Sequence, residues 1–398
     1  MTTPLASTPP MGWNSWNTFG HNINETVVRE TADALISSGL KDYGYNYIVI
    51  DDCWSIKDRR DGNGDLIADP EKFPNGIKAL ADYVHSKGFK IGIYSDAAEK
   101  TCGNYPGSYG FEEQDAQLWA SWGIDFLKYD YCHAPQGQEV AIERYSRMGE
   151  ALRKTGREFL YSLCEWGGRA PHLWGRQVGG HMWRVSGDVY DSWVNVGLKG
   201  WDAIGVDVSI DIASELYEYG GPGGWNDLDM LIVGLKGKGQ IAGTGMSFLE
   251  YQTHMSLWCM VCSPLMIGCD VRKLDSDTAT LLMNREVLDV NQDSWGTPAR
   301  RVKQIGQCEI WRKPLEDGSV AVSVINRGSR PEEVTVRPRD IGMFDTPKLA
   351  RNLWTHQDIA DFKTELTQRV LPHETVLLKV STEPRAECFA IEVAIIMK

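Results

Sequence analysis

Carboxylic acids follow several apolar runs of this sequence, at the points where those runs stop. The run that contains Ile124, Phe126 and Leu127 ends at Asp130, which places a carboxylate at the tip of a predicted buried strand. Such a carboxylate must be solvated, paired or functional, because an unpaired buried charge is unfavourable. For one strand alone, an aspartate that begins a turn is the ordinary explanation. The pattern recurs, however, which indicates a cluster of acids: Asp51, Asp52, Asp96, Glu165, Asp188, Asp227, Asp229 and Asp270.

The chemistry that converging carboxylates suggest is glycoside hydrolysis. Two acids in different environments can divide the roles of nucleophile and general acid. A sugar also presents apolar C–H patches to aromatic rings, and any single tryptophan is more often a core residue than such a platform. Of the 15 tryptophans, several lie beside the predicted strand ends, which favours a carbohydrate site there: Trp13, Trp16, Trp54, Trp166, Trp183 and Trp225.

Alternating strands and helices must position these side chains. Segments with helical periodicity, at 27–38, 76–87, 112–122 and 139–154, lie between the apolar runs. Repeated strand–helix units with short connections imply a parallel sheet, and eight such units close into a barrel. Eight candidate strands occur between Pro10 and Cys269. The expected fold class is therefore α/β, a (βα)8 TIM barrel that gathers the acids at the carboxyl ends of its strands.

The pattern changes near Gly296. Beyond it, short alternating runs such as 319–325 and 375–380 are separated by glycine- and proline-containing turns, which is typical of antiparallel strands. A (βα)8 barrel needs roughly 250 residues. We therefore expect a barrel domain over residues 1–296 and a C-terminal antiparallel β-sandwich domain over residues 297–398.

Net charge and apolar runs limit the partners. The formal net charge of −13 argues against nucleic acid, which requires a basic surface, and the longest apolar stretch, 390–397, is too short to cross a bilayer. We expect no nucleic-acid partner and no membrane. The first ten residues lack the features of a signal peptide, so a cytoplasmic location is expected, or secretion if a leader has been removed.

The cysteines do not form a recognisable metal motif. The chain has nine cysteines, an odd number, and no histidine or cysteine spacing of a zinc site. We therefore expect no metal. Cys102 and Cys132 follow neighbouring predicted strands, and they could form a disulfide or remain two buried thiols in a reducing compartment.

Short motifs occur in a fixed order between about Pro9 and Asp293. They include MGWNSW at 11–16, IDDCW at 50–54, ADPEKFP at 68–74, HSKG at 85–88, GIY at 92–94, KTC at 100–102, LKYD at 127–130, CEW at 164–166, GGPGGWND at 220–227 and NQD at 291–293. One such motif would be weak, but ten in register are specific. The chain resembles glycoside hydrolase family 27, the melibiase-type α-galactosidases.

The resemblance implies a retaining, exo-acting α-galactosidase that removes terminal α-linked D-galactose from oligosaccharides or glycoconjugates by double displacement. It implies that Asp130 is the nucleophile and Asp188 the acid/base, with no cofactor and with an α-galactoside as the expected partner. The residues that match the family's sugar contacts or lie beside them are Trp16, Asp51, Asp52, Tyr94, Lys128, Glu165, Trp166, Arg184 and Asp229.

Several alternatives accompany this interpretation. Relatives that take N-acetylgalactosamine carry small residues at the position of Glu165, so a glutamate there favours galactose. Asp51, rather than a longer glutamate, argues against a β-L-arabinopyranosidase. A non-catalytic carbohydrate-binding barrel and a metal-dependent aldolase or isomerase that uses the same acids are alternatives from other classes. The oligomeric state stays open, a homo-oligomer included.

Overall fold

The computed structural model describes residues 4–195, 203–344, 349–359, 362 and 364–382. Within these residues the chain forms an eight-stranded parallel sheet, a six-stranded antiparallel sheet and a two-stranded antiparallel sheet. The tail after Ser381, to which the sequence assigns no role, lies outside the described residues except for Thr382.

The eight-stranded sheet closes into a barrel. Its neighbours follow the order β7-β6-β5-β4-β3-β2-β1-β8. Leu231, just beyond the seventh strand, forms a parallel bridge with Ile267 of the eighth, which closes the ring. The strands are β1 Met11–Asn14, β2 Tyr47–Val49, β3 Lys90–Asp96, β4 Phe126–Asp130, β5 Leu160–Cys164, β6 Met182–Arg184, β7 Trp225–Asp227 and β8 Leu265–Ile267. The predicted (βα)8 TIM barrel is confirmed.

Helices connect the strands and cover the outside of the barrel. Amphipathic periodicity gives most of them one buried face, as in the helix of residues 76–86, where Ile77, Leu80 and Val84 are buried. The helices of the barrel are α1 Trp16–Phe19, α2 Glu25–Ser37, α3 Gly76–Ser86, α4 Glu112–Trp122, α5 Gln138–Lys154, α6 Val206–Leu216, α7 Phe248–Met260, α8 Ser276–Leu282 and α9 Arg285–Asn291. The four helical segments expected from periodicity correspond to α2, α3, α4 and α5.

The strands are apolar along most of their length because both faces of the sheet are covered. Ile48 and Val49 of β2 and Ile91 and Ile93 of β3 are fully buried. Within β3 and β4 the only acids are Asp96 and Asp130 at the carboxyl ends, and Asp51 and Asp52 follow β2. The sequence therefore builds a packed apolar barrel with polar groups at one face.

The C-terminal part is an antiparallel β structure. Its strands pair in two sheets, ordered β14-β13-β16-β11-β10-β9 and β12-β15. Apolar residues from both, including Ile310, Val322 and Val334, share one buried cluster, which makes the pair of sheets a sandwich. The strands are β9 Arg300–Ile305, β10 Cys308–Pro314, β11 Val320–Asn326, β12 Glu332–Val336, β13 Leu349–Asn352, β14 Gln357–Ile359, β15 Leu366–Val370 and β16 Thr375–Ser381.

The β-sandwich packs directly against the barrel. Trp311 of β10 and Leu377 of β16 belong to the apolar cluster of the barrel rather than to that of the sandwich. The Thr253 hydroxyl of α7 donates a hydrogen bond to the His373 carbonyl at 2.6 Å. In the part of the chain that the structure describes, no helix is long and apolar enough to cross a membrane.

Candidate active site

A cavity of about 410 Å³ opens at the carboxyl ends of the barrel strands. This volume is within the range of small-molecule sites, and the position is the one at which barrel enzymes carry their chemistry. Ten of the eleven site residues expected from the sequence line it: Trp16, Asp51, Asp52, Tyr94, Lys128, Asp130, Trp166, Arg184, Asp188 and Asp229. Glu165 is the exception.

Strand register explains why the acids converge. In the parallel ladder, Asp96 of β3 is level with Asp130 of β4, and Asp130 is level with Cys164 of β5. Residues that are paired across neighbouring parallel strands point to the same face of the sheet, because side chains alternate between the two faces along each strand. The interval of two between Lys128 and Asp130 therefore puts an ammonium and a carboxylate on one face.

Asp130 is held in a buried, hydrogen-bonded position. The residue is 4% exposed. Its carboxylate accepts hydrogen bonds from the Tyr131 amide at 2.9 Å and the Tyr94 hydroxyl at 3.0 Å. Burial raises the pKa of Asp130 to about 7, while the positive charge of Lys128 opposes this rise. Asp130 is therefore an oriented carboxylate with one face toward the cavity.

Asp188 has a different environment. Its side chain is 22% exposed, and its carboxylate pairs with the Arg184 guanidinium at 3.0 Å. The same guanidinium pairs with Asp229 at 3.0 Å. Burial raises the pKa of Asp229 to about 6, against the lowering effect of Arg184. One arginine thus fixes two carboxylates, of which Asp188 is accessible to solvent.

Asp51 and Lys128 form a polar cradle on the other side of the cavity. The Asp51 carboxylate accepts hydrogen bonds from Lys128 Nζ and from the Asn14 side-chain amide, both at 2.8 Å. Burial lowers the pKa of Lys128, but the carboxylates of Asp51 and Asp130 outweigh it and raise the pKa above its ordinary value. Lys128 is therefore a permanent cation between two acids.

Asp52 is anchored separately from Asp51. It accepts hydrogen bonds from the Gly103 amide and from the Cys53 amide, both at 2.7 Å. Burial raises its pKa, and these amides oppose the rise. Gly103 is required here because a Cβ at that position would approach Asp52 Oδ2 to 2.9 Å. Asp51 and Asp52 thus present two oriented acceptors to anything in the cavity.

Glu165 requires a correction. The sequence interpretation placed its carboxylate beside the sugar, but Glu165 does not line the cavity and is fully buried. It accepts hydrogen bonds from the Arg169 amide at 2.8 Å and from Arg169 Nη1 at 3.2 Å. Alternation along β5 explains this, because Cys164 faces the barrel interior and the next residue must face away. Cys164 and Trp166 line the cavity instead.

Two cysteines and a buried acid complete the site. Cys102 and Cys132 form a disulfide across the loops that follow β3 and β4, and both line the cavity. Asp96 lies beside them and accepts hydrogen bonds from the Cys132 amide and the Ala98 amide, both at 2.9 Å. Burial, followed by the charge of Asp130, raises the pKa of Asp96 well above its ordinary range. The sequence pattern included Asp96 among the strand-end acids without assigning it a role, and its pairing with Asp130 in the parallel ladder explains its place beside the site.

The group of Asp96, Cys102, Asp130 and Cys132 has the proximity of a metal site, with ligand atoms within 4.8 Å of one another. Its chemistry does not fit one, because both sulfurs are consumed in the disulfide and offer no thiolate. No second group of this kind occurs in the part of the chain described. Asp270, the last acid of the sequence pattern, pairs with Arg272 and does not line the cavity.

Known proteins are similar to this chain in sequence. A family model described as Alpha galactosidase A matches residues 8–293, and one described as Alpha galactosidase C-terminal beta sandwich domain matches residues 305–380. An Alpha-galactosidase A of Cellvibrio japonicus is 47% identical over 390 residues, covering 95% of this chain and 93% of the relative.

Solved structures agree with the sequence matches. Alpha-galactosidase I from Mortierella vinacea has a TM-score of 0.89 and 38% identity, covering 96% of this chain and 98% of that chain. An α-galactosidase from Saccharomyces cerevisiae solved with raffinose has a TM-score of 0.88 and 30% identity, covering 96% and 100%. The chain therefore belongs to glycoside hydrolase family 27, the melibiase-type α-galactosidases.

Proposed function

We propose that this α-galactosidase releases terminal α-linked galactose by double displacement with retention. In the first step an Asp130 oxygen bonds to the anomeric carbon, the glycosidic C–O bond breaks, and Asp188 gives its proton to the departing oxygen. In the second step a water oxygen bonds to the same carbon, Asp188 takes the water proton, and Asp130 leaves as a carboxylate. Two inversions restore the α configuration.

The observation that carries this proposal is the pair of carboxyl groups, Asp130 and Asp188, on one cavity in contrasting environments. Asp130 is buried and accepts two hydrogen bonds, as a carboxylate nucleophile must to keep its orientation. Asp188 is partly exposed, so the leaving group can take its proton in the first step and the attacking water can reach its carboxylate in the second. Two carboxyls whose environments differ can take the two roles.

Galactose binding is proposed to use the polar cradle and the aromatic walls. Asp51 and Asp52 offer charged acceptors to sugar hydroxyls, and Lys128 offers a donor, since charged groups make strong hydrogen bonds when water is excluded. Trp16, which is 8% exposed, offers a ring to the apolar side of the sugar, and Trp166 forms another wall. Tyr94, Arg184 and Asp229 complete the pocket.

The substrate class follows from a relative. The Saccharomyces cerevisiae α-galactosidase was solved with raffinose. We infer that this chain likewise acts on oligosaccharides that end in α-linked galactose, with the galactose in the cavity and the rest of the molecule outside.

We infer an oxidising location from the Cys102–Cys132 disulfide. Such bonds persist in secreted and periplasmic proteins and are reduced in most cytosols. This favours secretion over the cytoplasmic location expected from the sequence. Fractionation of the natural host, followed by activity assays on each fraction, tests it, and activity confined to the cytosol would contradict it.

Alanine variants of the two acids test the mechanism. We expect Asp130→Ala to lower the rate on an aryl α-galactoside by more than about 10³-fold, because the nucleophile is lost. Azide should partly restore cleavage and give the β-galactosyl azide, the product of one inversion. Asp188→Ala is the matched comparison, in which azide should give the α-galactosyl azide. Wild-type turnover by Asp130→Ala would remove the mechanism.

A further inference from the structure

Glu165 lies next to a cavity residue and yet makes no contribution to the cavity surface. Its carboxylate is fully buried and accepts hydrogen bonds from the Arg169 backbone amide at 2.8 Å and from the Arg169 guanidinium at 3.2 Å. The Arg169 side chain is only 11% exposed. A buried ion pair of this kind is costly to desolvate, so its presence is weak evidence of a stabilising role and leaves room for a positional one.

Arg169 connects this pair to the loop that follows β4. Its Nη2 donates a hydrogen bond to Gln136 Oε1 at 2.8 Å, and its guanidinium lies 4.4 Å from the centre of the Tyr131 ring. Tyr131 is the residue after Asp130, and its amide is one of the donors to that carboxylate. Arg169 thus joins the loop after β5 to the segment that carries Asp130.

Trp166 adopts a backbone conformation that needs support. Its φ is +58°, in the left-handed region that is unfavourable for a residue with a Cβ. Such conformations persist only where the surroundings fix them. The following Gly167 has a φ of +80°, and a Cβ there would come within 2.3 Å of the Val185 carbonyl. The turn therefore packs against the segment between Arg184 and Asp188.

We propose that the Glu165–Arg169 ion pair is a positioning device that holds Trp166 in place as a wall of the galactose pocket. The pair clamps the turn on both sides of Trp166, since Glu165 precedes Trp166, and Arg169, three residues after Trp166, pairs back with Glu165. It also sets the distance of that wall from Asp130 through Tyr131. The inference rests on the proposed function, in which Trp166 contacts the sugar.

A double-mutant cycle tests the proposal. Arg169→Ala, Trp166→Ala and the double variant are compared by kcat and KM on an aryl α-galactoside and by inhibition with free galactose. Arg169→Ala should raise KM and the galactose inhibition constant between about 10- and 100-fold, because the wall is misplaced. In the Trp166→Ala background the same change should raise them no further, since coupled residues are not additive.

Conservative variants and a matched control keep the result interpretable. Glu165→Gln preserves shape and removes the charge, so it should reproduce part of the KM rise and replaces Arg169→Ala in the cycle if that variant does not fold. Arg157→Ala is the control: Arg157 pairs with Asp125 and joins the amino ends of β4 and β5 rather than the carboxyl ends. We expect it to leave KM unchanged.

Two contrary outcomes separate the inference from the proposed function. An equal rise of KM on Arg169→Ala with and without Trp166 would overturn the positioning role and leave the mechanism intact. A Trp166→Ala variant with wild-type KM would overturn the pocket role of Trp166, and the positioning role with it. Neither result tests the role of Asp130, which the azide rescue of Asp130→Ala tests separately.

Discussion

Asp130 must be ionised to attack a sugar, and its pKa decides when it is. Burial raises that pKa to about 7, so the carboxyl keeps its proton to a higher pH than an exposed aspartate. The value of kcat/KM, which reports the free enzyme, should therefore fall as the pH drops below about 7. A pH profile with an aryl α-galactoside measures this limb.

A variant of Lys128 tests the electrostatic cause of this pH dependence. Its charge lowers the pKa of Asp130, so Lys128→Met should move the acidic limb of kcat/KM to higher pH, even though binding is also weakened. A limb that stays in place would contradict the electrostatic account of Asp130. The position of this acidic limb does not depend on how the sugar contacts Lys128, because the pH dependence of kcat/KM reports the ionisation of the free enzyme.

Glu165 carries a second prediction at this scale. Since its carboxylate points away from the cavity, Glu165→Ser should not create room for an acetamide group. We expect no gain of activity on an aryl α-N-acetylgalactosaminide, measured as the ratio of kcat/KM for the two substrates. A shift of that ratio toward the acetamido sugar in Glu165→Ser but not in Arg169→Ala, which breaks the same ion pair, would show that Glu165 faces the substrate after all.

Single residues were predictable from the sequence where they end strands. Asp51 and Asp130 are found by the stop of an apolar run, and the family motifs assign them roles. Glu165 also ends an apolar run, and it was wrongly placed because the motif alone does not say which way a side chain points. In the parallel sheet Cys164 is paired with Asp130 and so faces the same side. The next residue, Glu165, must then face the opposite side, and this reasoning would have corrected its placement.

Among the elements, the loops after β3 and β4 depend on their disulfide. Cys102 and Cys132 enclose a loop with a sequence separation of 30, and closing a loop of this size stabilises a protein by about 3.5 kcal/mol. Cys132→Ala should therefore lower the free energy of unfolding by about that amount, measured by urea denaturation. A reductant should destabilise the wild-type protein similarly and leave Cys132→Ala unaffected. Equal sensitivity of both proteins to the reductant would contradict this.

Element order could be predicted, and the connections between elements could not. Apolar runs and helical periodicity predict β3, β4, α4 and α5 nearly to their ends, because these elements bury long apolar surfaces. The strands β6 and β7 are three residues each, too short for periodicity to define them. The sequence also left Cys102 and Cys132 open between a bridge and two thiols, since that choice depends on loop geometry.

At the scale of the whole molecule, a buried network joins the β-sandwich to the barrel. Glu309 of β10 is fully buried and pairs with Arg301 at 2.9 Å and Arg327 at 3.1 Å. Arg327 also pairs with Asp211 of α6 at 2.6 Å and donates a hydrogen bond to the Asp207 carbonyl at 3.0 Å. One arginine thus neutralises a buried acid of the sandwich and holds a barrel helix.

Removing that arginine should destabilise the molecule. Arg327→Ala leaves Glu309 with Arg301 as its one cationic partner, beside the hydrogen bond from Trp311 Nε1. Removing one partner of a buried ion pair in this way costs up to about 3 kcal/mol. The change is measured from urea unfolding followed by tryptophan fluorescence. Lys154→Ala, which removes an exposed pair with Glu113 between α5 and α4, should leave the midpoint nearly unchanged. Equal midpoints for the two variants would contradict the role of the network.

The sequence predicted two kinds of architecture in the correct order, but not how they join. Strand pairing in the sandwich places β16 between β13 and β11, far apart in the chain, and no local pattern reports such a pairing. The contact of Trp311 with the barrel cluster is equally invisible, because a buried tryptophan looks the same in either core. The division near Gly296 stays a prediction, and limited proteolysis with mass spectrometry of the products tests it.

The configuration of the first sugar released tests the central claim most directly. Proton NMR during hydrolysis of an aryl α-galactoside distinguishes the two anomers before they interconvert in water. Attack by Asp130 followed by attack of a water from the opposite face predicts α-galactose as the first product, with the β anomer growing later. β-Galactose as the first product would show a single displacement by water, and Asp130 would then have no covalent role.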